Sequence, residues 1–171
     1  MKVNKALRNL FILIIIVSNI GCDQISKSIV RRKIDYNTQI NVISNYVILT
    51  KVENTGAFLG LGNSIPRPIY IILMIILPLL VISYALFSLL TRNNISKLII
   101  IGISFIIAGG LGNIYDRIIY GSVIDFIHID FVVFKTGILN MADVSVTIGV
   151  FIIIYELYIN RRKTIYKAIE K

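Results

Sequence analysis

The sequence predicts an α-helical integral membrane protein with four transmembrane helices and short β-strands outside the bilayer. Three observations carry this. Of its 171 residues, 56% are hydrophobic and the mean hydropathy is +0.81, more apolar surface than a soluble domain of this size could cover. The apolar residues gather into runs near the ~20 residues that cross a bilayer. The stretches between the runs alternate or are β-branched, as strands do. The length suits one domain, 1–171.

The first run follows MKVNKALRNL and reads FILIIIVSNIGC. A basic start, an apolar core and a small residue before Cys22 imitate a signal peptide. Asn19 is polar where a lipoprotein cleavage box needs an aliphatic residue, and a polytopic chain needs a first span, so residues 7–25 are read as a transmembrane helix. Asp23 and Lys27 follow, four apart, able to pair on one helix face; spacing alone describes an interfacial ion pair that ends the helix. Residues 28–68 hold no long apolar run, and QINVIS and NYVILTKV suggest strands. Next come Asn54, Gly56 and the run GLGN. No lysine stands behind those glycines in phosphate-loop spacing, so they are read as a turn.

The second span is placed at 69–90, with Pro78 expected to kink it. The third is placed at 98–115, where Gly102, Gly109, Gly110 and Gly112 would let backbones approach. VIDFIHIDFVVF alternates like a strand or hairpin. The fourth span is placed at 138–159, with Asp143 about five residues, or roughly 7 Å, inside it.

The net charge is +9, with bases beside apolar runs, which points to membrane topology and against nucleic acid. Four spans put both termini on one side. Lys2, Lys5, Arg8, Arg92, Lys97, Arg161, Arg162, Lys163, Lys167 and Lys171 then share a face, ten of the 18 Lys and Arg. That bias predicts cytoplasmic termini. Asp23, Asp35, Glu53, Asp116, Asp125, Asp130 and Asp143, seven of the nine acids, fall on the opposite face. Five separated segments thus converge on one membrane surface, bringing Asp23/Lys27, Asn54/Gly56, Asn113/Asp116/Arg117, Asp125 and Asn140/Asp143 together. Ionisable groups there are functional candidates. Two neighbouring half-buried carboxyls can share a proton, one acting as base on water while the other polarises a carbonyl.

Other chemistries fit less well. Cys22 and His128 are the single residues of their types, which excludes an intrachain disulfide and zinc sites needing several such ligands. Ser122 with His128 lacks a nucleophile elbow, and Asp116, Asp125 and Asp130 are not in a metal-binding spacing. No cofactor or metal is expected. A small membrane transporter or channel subunit with interfacial acids is the alternative from another class, although no inverted repeat supports it.

Five motifs in order, DQISK at 23–27, NTGAF at 54–58, GGLGNIYDR at 109–117, GSVIDF at 121–126 and LNMAD at 139–143, resemble those of lipoprotein signal peptidase (signal peptidase II), a family of bacterial membrane aspartic proteases. The resemblance spans nearly the whole chain. It implies that Asp125 and Asp143 form the catalytic dyad. Asn54, Gly56, Asn113, Arg117 and Asn140 would line the site, and Asp23 and Lys27 would support it. Asp116 is an alternative acid, ranked as structural because Arg117 and the helix end give it a partner. Segment 36–62 would form a small extracytoplasmic β-rich cradle on the membrane surface. The implied substrate is a diacylglyceryl-modified prolipoprotein cut just before its lipidated cysteine. The implied setting is the bacterial cytoplasmic (inner) membrane and its lipid, with a monomer as the default state and globomycin-type cyclic peptides as inhibitors. Leu139, where the family usually has Phe, and Phe58 depart from the pattern; both are apolar, which alters pocket shape and not chemistry.

Overall fold

Two connectors far apart in sequence build one sheet. β1 (Gln39–Ile43) and β2 (Val47–Asn54) come from the first connector, and β3 (Val123–Phe131) and β4 (Phe134–Leu139) from the last. All pairings are antiparallel, in the order β1-β2-β3-β4. The computed structural model describes residues 4–36, 38–44, 46–56, 65–131 and 134–169. The central β2–β3 pair sets Val52 opposite Asp125 and Asn54 opposite Val123, after a register shift between Leu49 and Val52. Such bulges re-aim side chains beside sites.

Among the described residues, four helices are long and apolar enough to cross a membrane. α1 (Lys5–Lys33) starts at Asn4, whose side chain accepts the Ala6 N–H at 3.0 Å. The second span joins α2 (Arg67–Ile71), a π-helical turn (Ile72–Ile76) and α3 (Leu77–Thr91). Pro78 lies in the first turn of α3. Having no N–H, and with a ring that crowds the preceding turn, it accounts for the π-turn just before it. α4 (Lys97–Ile119) starts at Ser96, which accepts the Ile99 N–H, and α5 (Met141–Ile169) completes the set. α4 is central and packs against α1, α3 and α5. Ile12, Ile16, Ile82, Leu89, Ile107 and Ile114 form the bundle core, while Val17, Leu80, Phe87 and Phe151 face outward, as lipid contact allows. Gly109 lies directly against the Ala142 carbonyl, so α4 and α5 touch backbone to backbone where α5 begins.

Several expectations need correction. α1 does not end near Asp23 and Lys27; it continues to Lys33, because Val30 and Ile34 pack with Ile124 and Phe126 beneath the sheet. α4 continues past Tyr115 to Ile119. α5 does not begin at Ile138: Ile138 and Leu139 pair with His128 and Ile127 as the end of β4, and the helix starts at Met141. Asp143 therefore stands in its first turn rather than five residues inside a span. The β-rich region is not confined to 36–62, since β3 and β4 supply half the sheet. Ala57, Phe58 and the GLGN run, Lys2 and Lys171, and the Val132–Val133 part of the hairpin lie outside the described residues, as do the side chains of Lys163 and Lys167.

Candidate active site

Asp143 is fixed by the way α5 starts. Asn140 is the N-cap: its Oδ1 accepts the Asp143 N–H at 3.0 Å, and Asp143 Oδ2 accepts the Asn140 N–H at 3.2 Å. This reciprocal pair is a capping box, with Asp143 in the third helical position. Asp143 Oδ1 accepts Asn113 Nδ2 from α4 at 2.9 Å. The carboxylate thus sits at the positive end of a helix, where negative charge is favoured, with both oxygens held.

Asp125 reaches the same place from β3 and is 5% exposed. Its Oδ2 accepts Asn54 Nδ2 at 3.0 Å, and its Oδ1 accepts Asn140 Nδ2 at 2.6 Å. Burial pushes its pKa up from 3.8 to about 6. The amide of Asn54 pulls it down, the charge of Asp143 raises it, and Asn140 and Lys27 lower it. Asn140 therefore serves both acids, capping the helix of one and donating to the other.

Asn54 is oriented by the Gly56 N–H, which donates to its Oδ1 at 3.0 Å. Arg117 anchors that segment: Nη2 donates to the Gly56 carbonyl at 2.7 Å and Nη1 to the Asn113 carbonyl at 3.1 Å. Its Nε is buried with no hydrogen-bond partner among the described residues.

Behind the two acids lies a second charged cluster. Lys27 Nζ reaches Asp23 Oδ2 at 2.8 Å, Asp116 Oδ2 at 2.9 Å and Asn113 Oδ1 at 2.9 Å. Arg31 closes on Asp116 Oδ1 at 3.0 Å and stacks over Tyr120 at 3.8 Å. Gln24 Nε2 donates to Asp23 and Asp116. Asp23 Oδ1 accepts the Ala142 N–H at 2.9 Å, so α1 also caps α5. Gly112 makes this approach feasible, since a Cβ there would lie 2.7 Å from Asp23 Oδ2.

All ten residues singled out from sequence therefore meet in one connected network. Two readings change. Asp23 and Lys27 are buried inside a helix, not an interfacial pair. Asp116 is paired with Lys27 and Arg31, not with Arg117, which sits next to it in sequence and turns to Gly56. Sequence reasoning missed Gln24 and Arg31. Their signal was present: Asp23, Lys27 and Arg31 are successively four apart, which marks one face once the helix is allowed to continue.

The competing site readings separate in space. Ser122 donates to Glu53 at 3.2 Å, and His128 lies about 20 Å further along the strand direction. Asp130 pairs with Lys135 at 2.7 Å while Asp116 faces Lys27 and Arg31. No three His, Cys, Asp or Glu side chains among the described residues gather as metal ligands would.

Comparison with known proteins follows the same lines. Residues 14–159 match the family described as signal peptidase (SPase) II. The lipoprotein signal peptidase of Streptococcus pneumoniae is 34% identical over 141 residues, 82% of this chain and 88% of that protein. That of Pelagibacter ubique is 32% identical over 166 residues, 95% and 96% of the two chains. A bacterial membrane enzyme solved at 2.3 Å superposes with a TM-score of 0.78 at 26% identity, covering 88% of this chain and 89% of that one. A second, solved at 1.9 Å, gives 0.76 at 27% identity, covering 86% and 92%.

Proposed function

The chain belongs to the signal peptidase II family, and from that premise we propose that Asp125 and Asp143 are the catalytic dyad of a membrane aspartic endopeptidase. The protein is a multi-pass membrane peptidase that removes signal peptides from lipoprotein precursors. One observation carries the assignment of the dyad: a buried carboxyl, Asp125, and a half-buried one, Asp143, come from different elements and meet around Asn140 with only amide donors against them among the described residues.

In the mechanism this supports, Asp125 holds the shared proton, because burial and the neighbouring charge raise its pKa to about 6. Asp143, at the helix N-terminus, is the base. It takes a proton from water as the oxygen attacks the scissile carbonyl carbon. Asp125 donates its proton to the carbonyl oxygen. The tetrahedral diol collapses as the C–N bond breaks: Asp143 passes its proton to the departing amine, and a diol hydroxyl returns its proton to Asp125, leaving the new carboxyl group and restoring the dyad. That amine becomes the N-terminus of the lipoprotein, on a cysteine already carrying diacylglyceryl. Arg117, whose Nε has no partner among the described residues, and Asn54 with Gly56 border the place where the peptide backbone would lie. The reading extends to a monomer in the lipid of the bacterial cytoplasmic membrane with both termini inside and the site on the outer face. Globomycin-type cyclic peptides would inhibit it by occupying the dyad.

The test is cleavage of a lipidated prolipoprotein by purified protein in lipid. Asp125→Asn and Asp143→Asn should each lose about 10³-fold or more in kcat while remaining folded. Full turnover by either variant would remove that residue from the dyad.

A further inference from the structure

We infer that Lys27 is a positioning residue of this peptidase, the group that fixes which end of the Asn113 amide faces Asp143. The inference rests on the dyad reading above and concerns how the dyad is held.

An asparagine amide has a donor end and an acceptor end of nearly the same shape, so something must decide its orientation. Each of the three site asparagines has its oxygen locked by a donor, which turns its NH₂ toward a carboxylate. For Asn54 the lock is the Gly56 N–H, and the NH₂ goes to Asp125. For Asn140 it is the Asp143 N–H, and the NH₂ goes to Asp125 and to Asn113 Oδ1 at 3.2 Å. For Asn113 it is Lys27. An ammonium has only donors, so the atom 2.9 Å from Lys27 Nζ must be oxygen, and Nδ2 must point at Asp143.

Lys27 differs from the other two locks. They are backbone groups set by the turn after β2 and by the start of α5, whereas Lys27 is a side chain on a third helix. Its own position is over-determined: it is fully buried, held between Asp23 and Asp116, and Arg31 backs Asp116. The charged groups around Asn113 are then Asp23, Lys27 and Arg31 from α1, Asp116 and Arg117 from α4, Asp125 from β3 and Asp143 from α5. Of these, Lys27 is the cation that donates to the Asn113 side chain. Without it, Asn140 is the one remaining donor to Asn113 Oδ1 among the described residues. A flipped amide would set a carbonyl oxygen against the Asp143 carboxylate and leave two NH₂ groups face to face. Misplacing a catalytic group by about an ångström can cost about 10²-fold in rate.

The experiment measures kcat and KM on a lipidated prolipoprotein, normalised to folded protein. Lys27→Met should lower kcat about 10–100-fold with KM within about twofold. Lys27→Gln, which keeps one donor, should recover part of the loss. If Lys27→Met does not accumulate, Asp23→Asn/Lys27→Met removes one charge of each sign and should show the same kcat loss relative to Asp23→Asn. Adding Lys27→Met or this charge-balanced pair to Asn113→Leu should cost little further kcat, because both changes remove one interaction. Asn113→Asp needs no change at Lys27, which would pair with the new carboxylate, yet it withdraws the N–H from Asp143; it should lose kcat as Lys27→Met does. Multiplicative losses in the combined variant, a rise in KM with kcat intact, or full kcat in Asn113→Asp would each overturn the inference. If Asp125→Asn and Asp143→Asn are inactive in the same assay, that failure touches Lys27 alone; if they turn over, the dyad itself is wrong.

Discussion

Two pairs of carboxyls, all but Asp143 buried, lie side by side in this protein, and they are treated in opposite ways. Asp23 and Asp116 face two cations, Lys27 and Arg31, at 2.8–3.0 Å. Among the described residues, Asp125 and Asp143 face only amide and backbone N–H groups. The first pair has its charge neutralised in place, which holds α1, α4 and α5 at one depth. The second has hydrogen bonds without a contacting counter-charge, and there burial holds the pKa of Asp125 up at about 6, where it can keep a proton. Ion pairing makes a carboxylate structural; amide contacts alone leave it available for chemistry.

The same change, Asp to Asn, breaks the two pairs differently. In the dyad it removes chemistry and leaves the fold, with the loss of about 10³-fold or more already given. At Asp116 it leaves buried Lys27 with Asp23 as its remaining carboxylate and takes the ion pair from half-buried Arg31. Removing one partner of a buried ion pair costs about 3–5 kcal/mol. Asp116→Asn should therefore lower the unfolding midpoint sharply in detergent, while the molecules that stay folded retain turnover. Normal stability combined with lost turnover would move Asp116 into the catalytic group.

A smaller effect sharpens the contrast through pH. With Asp125 titrating at about 6, the singly protonated dyad is depleted above that pH. The kcat/KM profile should fall on its alkaline side from near pH 6, about tenfold per unit. Asn54 donates to Asp125 and lowers its pKa, so Asn54→Leu should move that limb to higher pH. A limb that stays in place would mean that the Asn54 contact does not govern the proton.

Much of this was legible in the sequence because the chain's expensive residues are few. Four apolar runs placed the spans, and topology alone carried Asp23, Asn54, Asn113, Asp125 and Asn140 to one surface. The illegible part concerns contacts that cross elements. Nothing local says that α1 continues past the bilayer boundary, because the reason is packing of Val30 and Ile34 on Ile124 and Phe126, residues about ninety positions away. The same long-range packing brings Arg31 to Asp116 and turns an apparent helix-ending ion pair into a buried network. Asp116 and Arg117 are adjacent in the chain and so look like partners. Successive helix residues point about 100° apart, and the two side chains serve different clusters.

The smallest of these effects is also the one whose sign depends on pH. The folded pKa of Asp125, about 6, lies above the ordinary 3.8, so between those values the folded state binds more protons than the unfolded one. Its contribution to stability is fully present below pH 3.8 and is lost as pH rises through 6. The full shift corresponds to about 3 kcal/mol. Asp125→Asn removes that dependence, but its single oxygen cannot accept from both Asn54 and Asn140, which returns about 1–2 kcal/mol. The variant should be less stable than the parent at pH 4 and more stable, by about 1 kcal/mol, at pH 8. Thermal unfolding in detergent at the two pH values reads this crossing directly. In the neutralised pair no such crossing is expected: Asp116→Asn should be the less stable protein at both. If the Asp125 curves run parallel, the carboxyl is not titrating where its surroundings place it, and the distinction between the two pairs loses its electrostatic basis.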